Sequence, residues 1–348
     1  MRAARLYEVG DIRVDEEPAP EPGPGETLVG VSAVGLCGSD LHWFSQGAIG
    51  DARLAHPLVL GHEAAGVIAS GPRRGQRVAI DPAIPDGTCR ACRDGYRNLC
   101  PQVRFSGHGG TDGALREFMA WPTELLHPLP DELSDSDGAV LEPLGVAIHS
   151  LDLGHLPFAG TAAVIGCGPI GLLTIQLLRV SGAASIVAFD PRGHRREAAA
   201  KLGADQVVDP AELVTGPGAG DGVGEPDAGR VRDLVGYGVD VAFEIAGGDP
   251  AVALAMEVTR PGGRIALGGI PDGDRIGFSA ALARRKGLTI ALVRRMNEVY
   301  PRAIGLVARG QVDTASVVTD RFGLGEVGSA FESAVRRDGL KVIVEPGR

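Results

Sequence analysis

The chain has 348 residues, length for about two domains, and 44% of them are hydrophobic, ample for packed cores. Acidic side chains outnumber basic ones 44 to 34, giving a net charge of −10, and no Lys/Arg block stands out, which argues against binding to a nucleic-acid backbone. The N-terminal stretch has no apolar core of the secretory kind, so a reducing, cytoplasmic setting is expected.

Residues 1–36 read as short strands and turns, with a strand at 28–34 after the turn-rich 18–25. Next comes Gly35-Leu-Cys-Gly-Ser-Asp-Leu-His-Trp43, which carries a thiol (Cys37), a hydroxyl (Ser39), a carboxylate (Asp40) and an imidazole (His42). Twenty-five residues beyond the thiol stands Gly61-His62-Glu63. Cysteine, histidine and carboxylate are the ligands Zn²⁺ takes in catalytic sites, with a fourth position left for water or substrate. A single cysteine is ordinarily a small buried hydrophobe. Two Gly-flanked polar clusters set in strand-like sequence are a better sign of a metal.

The β character continues through 59–67 and 76–80. Residues 81–101 are irregular and Cys-rich, and hold Cys89-x₂-Cys92-x₇-Cys100 with Asp86 three residues before Cys89. Of the five cysteines (37, 89, 92, 100 and 167) this close trio favours metal thiolates over disulfides. Zinc accepts a carboxylate oxygen, so Asp86, Cys89, Cys92 and Cys100 can form a closed structural site. The other reading is a lobe held by packing alone. Strand-like sequence returns at 114–121 and 125–128. Residues 134–150 then read as a helix, with Asp135 and Asp137 early and a stripe of Ala139, Val140, Leu144 and Ile148. Glu142 interrupts this apolar segment, either as a surface carboxylate or as one that reaches the metal at a domain junction.

From about 160, short apolar strands (162–166, 186–190, 206–208, 239–245, 264–267, 288–293) alternate with helices near 169–181, 192–202 and 250–259. Apolar strands without alternation predict a parallel sheet buried on both faces. The uncharged stretch 162–178 nearly reaches membrane-span length, but its glycines and Pro169 fit a strand, turn and helix. Residues 214–229, rich in Gly, Pro and Asp, are expected to be a mobile surface loop. Helices at 300–309 and 325–336 precede a final strand at 341–344, which must pair outside the parallel sheet.

Gly166-Cys-Gly168-Pro169-Ile170-Gly171 is GxGxxG between a predicted strand and helix. The first glycine permits the turn, the second the approach of a pyrophosphate, the third close packing of helix on strand. Asp190 ends the next strand, 19 residues past Gly171, where a carboxylate meets the adenosine ribose and repels a 2′-phosphate. NAD is therefore favoured over NADP. Arg192 and Arg195 follow closely and weaken that preference.

Along essentially its whole length the chain resembles the zinc-dependent medium-chain dehydrogenases, most of all their polyol (sorbitol and L-idonate) branch. The resemblance rests on Val34-Gly-Leu-Cys-Gly-Ser-Asp-Leu-His42, Pro57-Leu-Val-Leu-Gly-His-Glu63, Arg77-Val-Ala-Ile-Asp-Pro82, Glu142-Pro-Leu-Gly-Val-Ala-Ile-His149 and the fingerprint at 166–171. It implies an α/β protein, with a GroES-like β-rich catalytic domain at 1–150 and 294–348 interrupted by a doubly wound Rossmann domain at 151–293, and the active site in the cleft between them. It implies Cys37 and His62 on a catalytic zinc, with Glu63 or Glu142 as the third ligand and Asp40 orienting His62. Ser39 and His42 would relay the substrate proton. Pro169, Ile170, Leu267, Arg195 and Arg294 would contact the cofactor, Arg294 also the substrate.

Asp86 departs from the family's usual first lobe cysteine. Trp43 and Arg295 stand where sorbitol-type enzymes carry tyrosine, and the pair Arg294–Arg295 points to an anionic substrate such as a sugar acid. The implied reaction is oxidation of a secondary alcohol (polyol, sugar acid or cyclitol) to a ketone by NAD, in a homodimer or homotetramer with no nucleic-acid or membrane partner. A threonine-type or simple alcohol dehydrogenase, or a non-catalytic NAD-binding protein, are the alternatives.

Overall fold

The strand expected at 28–34 runs as Glu26–Gly35 and is the one around which the β-rich unit is built. In the computed structural model, which describes residues 1–214, 226–271, 273 and 275–348, this strand pairs antiparallel with Phe118–Pro122, Glu63–Ile68 and Lys341–Glu345. The sheet order is Leu126–Pro128, Arg77–Ile80, Glu63–Ile68, Glu26–Gly35, Lys341–Glu345, Val318–Gly323, with Phe118–Pro122 off this path. The final strand finds its partners here, as its isolation from the parallel series requires. A smaller sheet of Asp11–Glu16, Arg2–Glu8 and Leu58–Val59 stands beside it. Trp43, Leu60, Ile68, Leu115, Met119 and Phe331 fill the core of this unit.

Contacts divide the chain into Met1–Gly145 with Met296–Arg348, and Val146–Arg295. The helix Asp135–Gly154 carries the chain from the first unit into the second, with Pro143 inside it.

The second unit is a six-stranded parallel sheet in the order Gln206–Val208, Ser185–Phe189, Thr161–Ile165, Val239–Glu244, Thr259–Leu267, Thr289–Leu292. Chain order reverses between Thr161–Ile165 and Val239–Glu244. In open sheets of this kind ligands settle outside the carboxyl ends of the strands at that reversal. Phe189, Phe243, Ile265 and Met256 are among its buried side chains.

Several expected elements shift for local reasons. The run 59–67 breaks into Leu58–Val59 and Glu63–Ile68, because Gly61 takes φ +93° and turns the chain. Residues 114–117 stay outside the strand expected there and bond to 2, 4, 31, 60 and 61, while the strand itself begins at Phe118. The expected loop at 214–229 ends earlier: Asp227 caps the helix Ala228–Val235 by accepting from the Arg230 N–H. Val214 bridges Pro226, and 215–225 lie outside the described residues. Sequence reading also passed over the helix Ala280–Lys286 and the strand Val318–Gly323. Among the described residues, no helix is long and apolar enough to cross a membrane.

Candidate metal centre and cofactor site

Cys37 ends the turn after the Glu26–Gly35 strand and precedes the helix Gly38–Gln46. His62 and Glu63 lie where the Glu63–Ile68 strand begins, and register sets Gly35 opposite Glu63. Strand pairing therefore delivers the two clusters to one place. One donor atom each from Cys37, His62 and Glu63 lies within 4.8 Å of the others. His62 and Glu63 are buried and Cys37 is partly so. A thiol, an imidazole and a carboxylate so close together form a zinc-type donor set, and a divalent cation fits their charge.

Asp40, 1% exposed, ties the two loops together. One carboxylate oxygen accepts the Cys37 backbone N–H at 3.0 Å. The other accepts the Gly61 N–H at 3.1 Å and lies 3.5 Å from His62 Nδ1. With Nδ1 facing Asp40, Nε2 is the nitrogen left for a metal, and Ser39 Oγ lies 3.4 Å from it. Burial alone would raise the Asp40 carboxyl, yet His62 and the two N–H donors hold it below its ordinary value. Burial opposes the imidazolium, but Asp40 and Cys37 keep the His62 pKa well above the usual one. A metal binding there must displace that proton.

Glu142, 5% exposed, sits on the Asp135–Gly154 helix. Burial pushes it up to about 7, with the His62 charge pulling against this and the Glu63 charge adding to it. Glu142 is not among the side chains whose donor atoms converge, although His62 and Glu63 both act on it electrostatically. His42 lies on the Gly38–Gln46 helix with Ser39, partly buried.

Sequence reasoning missed the neighbours of His62. Phe105 lies 5.2 Å from it between ring centroids, and His108 makes an edge contact with Trp43 at 5.4 Å. The loop bearing them is stitched to the ligand loop: Ser106 Oγ donates to Gly61 O at 2.9 Å, and the Ala114 N–H to the same oxygen at 2.9 Å. The largest omission is Lys341, whose ammonium meets Glu63. The available signal was a lysine opening the otherwise apolar run Lys-Val-Ile-Val.

The second cluster also assembles. Donor atoms of Asp86, Cys89, Cys92 and Cys100 lie within 4.8 Å of one another. Asp86 Oδ1 accepts the Thr88 and Cys89 N–H groups at 2.8 Å each, and Cys89 Sγ lies 3.9 Å from Cys100 Sγ. Desolvation and the contact with Cys89 push the Cys92 thiol up to about 12. Three thiols and a carboxylate match a closed zinc site. The lobe is bonded to later sequence: Asn297 Nδ2 donates to Gly95 O at 2.9 Å, and Arg97 pairs with Glu298 at 3.1 Å.

In the parallel-sheet unit, Gly166 and Gly168 form the turn after Thr161–Ile165, and Pro169 and Ile170 open the helix Pro169–Val180. A Cβ on Gly171 would come within 1.9 Å of Gly166 O, so this packing admits only glycine. Asp190 is 4% exposed. Its carboxylate accepts the Cys167 N–H and the Arg192 N–H, each at 2.9 Å, and so braces the fingerprint turn. Arg195 reaches toward Gly168, its Nη1 3.7 Å from where a Cβ there would lie. Leu267 ends its strand, and Arg294 is exposed just after Thr289–Leu292. A glycine turn, a helix start and a braced carboxylate at the sheet's reversal suit a dinucleotide.

Comparison with known proteins matches these features. Residues 23–131 fit the alcohol dehydrogenase GroES-like domain, and residues 169–309 the zinc-binding dehydrogenase domain. Sorbitol dehydrogenase of Bacillus subtilis is 34% identical, over 100% of this chain and 98% of its own. Among solved structures, L-idonate 5-dehydrogenase of Escherichia coli superimposes with TM-score 0.89 at 26% identity, covering 99% of this chain and 97% of that one. The 2R,3R-butanediol dehydrogenase of Bacillus subtilis gives TM-score 0.85 at 29% identity, covering 99% of both.

Proposed function

Because the chain belongs to the zinc-dependent medium-chain alcohol dehydrogenase family, we propose that it oxidises a secondary hydroxyl of a polyol or sugar acid to a ketone, with NAD as hydride acceptor. The observation that carries this reading is the convergence of Cys37, His62 and Glu63 within 4.8 Å, with Ser39 beside His62. Sorbitol, L-idonate and 2R,3R-butanediol, for which these relatives are named, each carry a secondary alcohol next to a second oxygenated carbon.

Zinc supplies Lewis-acid polarisation of the substrate hydroxyl when bound. NAD supplies a hydride acceptor at nicotinamide C4 when bound. Cys37, His62 and Glu63 would hold the metal, with Asp40 fixing the His62 ring through Nδ1. Ser39 takes the substrate's hydroxyl proton, and His42, on the same helix, passes it outward. Glu142, its carboxyl pushed up to about 7, holds a proton or a water beside the ligands. Gly166, Gly168 and the start of the Pro169–Val180 helix receive the pyrophosphate, and Asp190 the adenosine ribose. Leu267 and Arg195 complete the cofactor contacts. Arg294, with Arg295 beside it, favours a sugar acid over a neutral polyol within this class. Asp86, Cys89, Cys92 and Cys100 hold a structural zinc.

A cytoplasmic homodimer or homotetramer completes the reading. In its support, Thr289–Leu292 is the last strand of its sheet, and Leu292 is 74% exposed. Uncovered edges of this kind invite pairing.

The test is zinc per chain by elemental analysis, beside an NADH-absorbance screen of polyols, sugar acids and threonine. The expected result is about two zincs per chain, from the two donor clusters, and NADH from polyols or sugar acids. Turnover of threonine or simple alcohols alone would replace the substrate class. No zinc and no turnover, even after zinc is added back, would overturn the reading.

A further inference from the structure

Glu63 has a second cation to serve. Lys341 opens the strand Lys341–Glu345, and its side chain is 3% exposed. Its ammonium donates to both Glu63 oxygens, at 2.8 and 2.7 Å, and to Leu36 O at 3.0 Å. All three N–H donors are thereby used. The two loops it grips are the ones that carry Cys37 and His62. Glu63 is 0% exposed, so bulk solvent does not reach it. The seat is built for this carboxylate: a Cβ on Gly35 would fall 2.1 Å from Glu63 Oε2. A buried carboxylate between an ammonium on one side and a thiol and imidazole on the other is shared by construction.

We propose that Lys341 is a positioning residue for the catalytic metal: it competes with the metal for Glu63 and so keeps the third protein ligand releasable. A carboxylate that gives electron density to an ammonium through both oxygens is a weaker metal ligand. Cys37 and His62 would then hold the metal firmly, with Glu63 in reserve. A ligand that lets go leaves a coordination position for substrate oxygen without distorting the rest of the shell.

This rests on the metal reading above, so the test measures metal release instead of turnover. Zinc-loaded protein is mixed with excess chelator and an absorbing zinc indicator, and the phase absent from a Cys37→Ser variant is followed. Lys341→Met is expected to slow that phase about tenfold or more, since Glu63 then has only the metal to neutralise it. Lys341→Gln, which keeps a donor without the charge, carries the same test if the Met variant does not fold. In a Glu63→Gln background the substitution at 341 should lose its effect, because the competition has no object. The double variant is an uncharged pair and so avoids an unpaired buried ion. Cobalt-substituted Lys341→Met should show altered ligand-field bands, with the thiolate charge-transfer band retained.

Unchanged or faster release in both Lys341→Met and Lys341→Gln would overturn the proposal. So would an effect that persists without Glu63, which would make Lys341 a general repulsive charge. A wild-type protein with no Cys37-dependent phase would instead refute the metal reading itself.

Discussion

Asp40 lies 3.5 Å from His62 Nδ1 while accepting the backbone N–H groups of Cys37 and Gly61. One buried carboxylate therefore fixes the backbone of one ligand loop, the backbone of the other, and the ring that links them. Asp40→Asn keeps the shape but sets an amide against N–H donors it cannot all satisfy. Metal affinity is expected to fall about 10–100-fold, measured by chelator competition. Loss of the contact at the helix start adds about 1 kcal/mol of destabilisation, seen in urea melts.

Asp81 gives a pH-dependent stability with a definite sign. Burial raises its carboxyl from 3.8 to about 6. The folded state therefore binds the proton more tightly than the unfolded one. That contribution is fully present below pH 3.8 and is lost as pH rises through about 6. Asp81→Asn should leave stability unchanged near pH 3.5 and raise it by about 3 kcal/mol at pH 7.5. Denaturant titrations at the two pH values check this. Equal gains at both would point to packing instead of ionisation.

Asp190 makes the cofactor choice testable. Replacing it with Ala removes the carboxylate proposed to receive the ribose and also the brace on the Cys167 N–H. kcat/KM with NAD should fall about 100-fold, while kcat/KM with NADP falls less or rises, because Arg192 and Arg195 remain. Steady-state kinetics with both cofactors measures the change in preference.

Burial and the contact with Cys89 push the Cys92 thiol up to about 12, which favours its protonated form. Zinc added to chelator-stripped protein should therefore release protons, detectable with an indicator in weak buffer. Cys92→Ser is expected to lower zinc content by one equivalent and to reduce Tm, while a zinc remains bound by Cys37 and His62. Asp86→Cys should retain both zincs and resist chelation longer.

The parallel unit was legible because each strand is apolar on both faces and each turn carries its own punctuation. Gly166, Gly168 and Gly171 mark one turn, and Asp190 the next. Cys37 and His62 were legible as metal-type residues in short polar islands. Contacts that depend on register across long separations were not. That Glu63 lies opposite Gly35, and that Lys341 arrives at the same point, follows from pairing three strands far apart in sequence. The break at Gly61 escaped for a similar reason. Its neighbours have strand composition, and only the packed loop at 106–115 demands the turn. The short helices Ala228–Val235 and Ala280–Lys286 expose most of their surface, and the apolar stripe of the first, Val231, Leu234 and Val235, spans little more than one turn.

The order of synthesis gives the buried ammonium a further consequence. Lys341 meets Leu36 across 305 residues and Glu63 across 278. As the chain leaves the ribosome, Cys37, His62 and Glu63 emerge early and wait through the making of the entire nucleotide-binding unit. During that wait the Glu26–Gly35 strand lacks a neighbour on one side, and the Glu63 carboxylate lacks its lysine. Open strand edges in such nascent intermediates are where chains associate wrongly. Early occupation of the growing site by zinc would give the carboxylate a temporary partner, making metal supply during translation a determinant of yield.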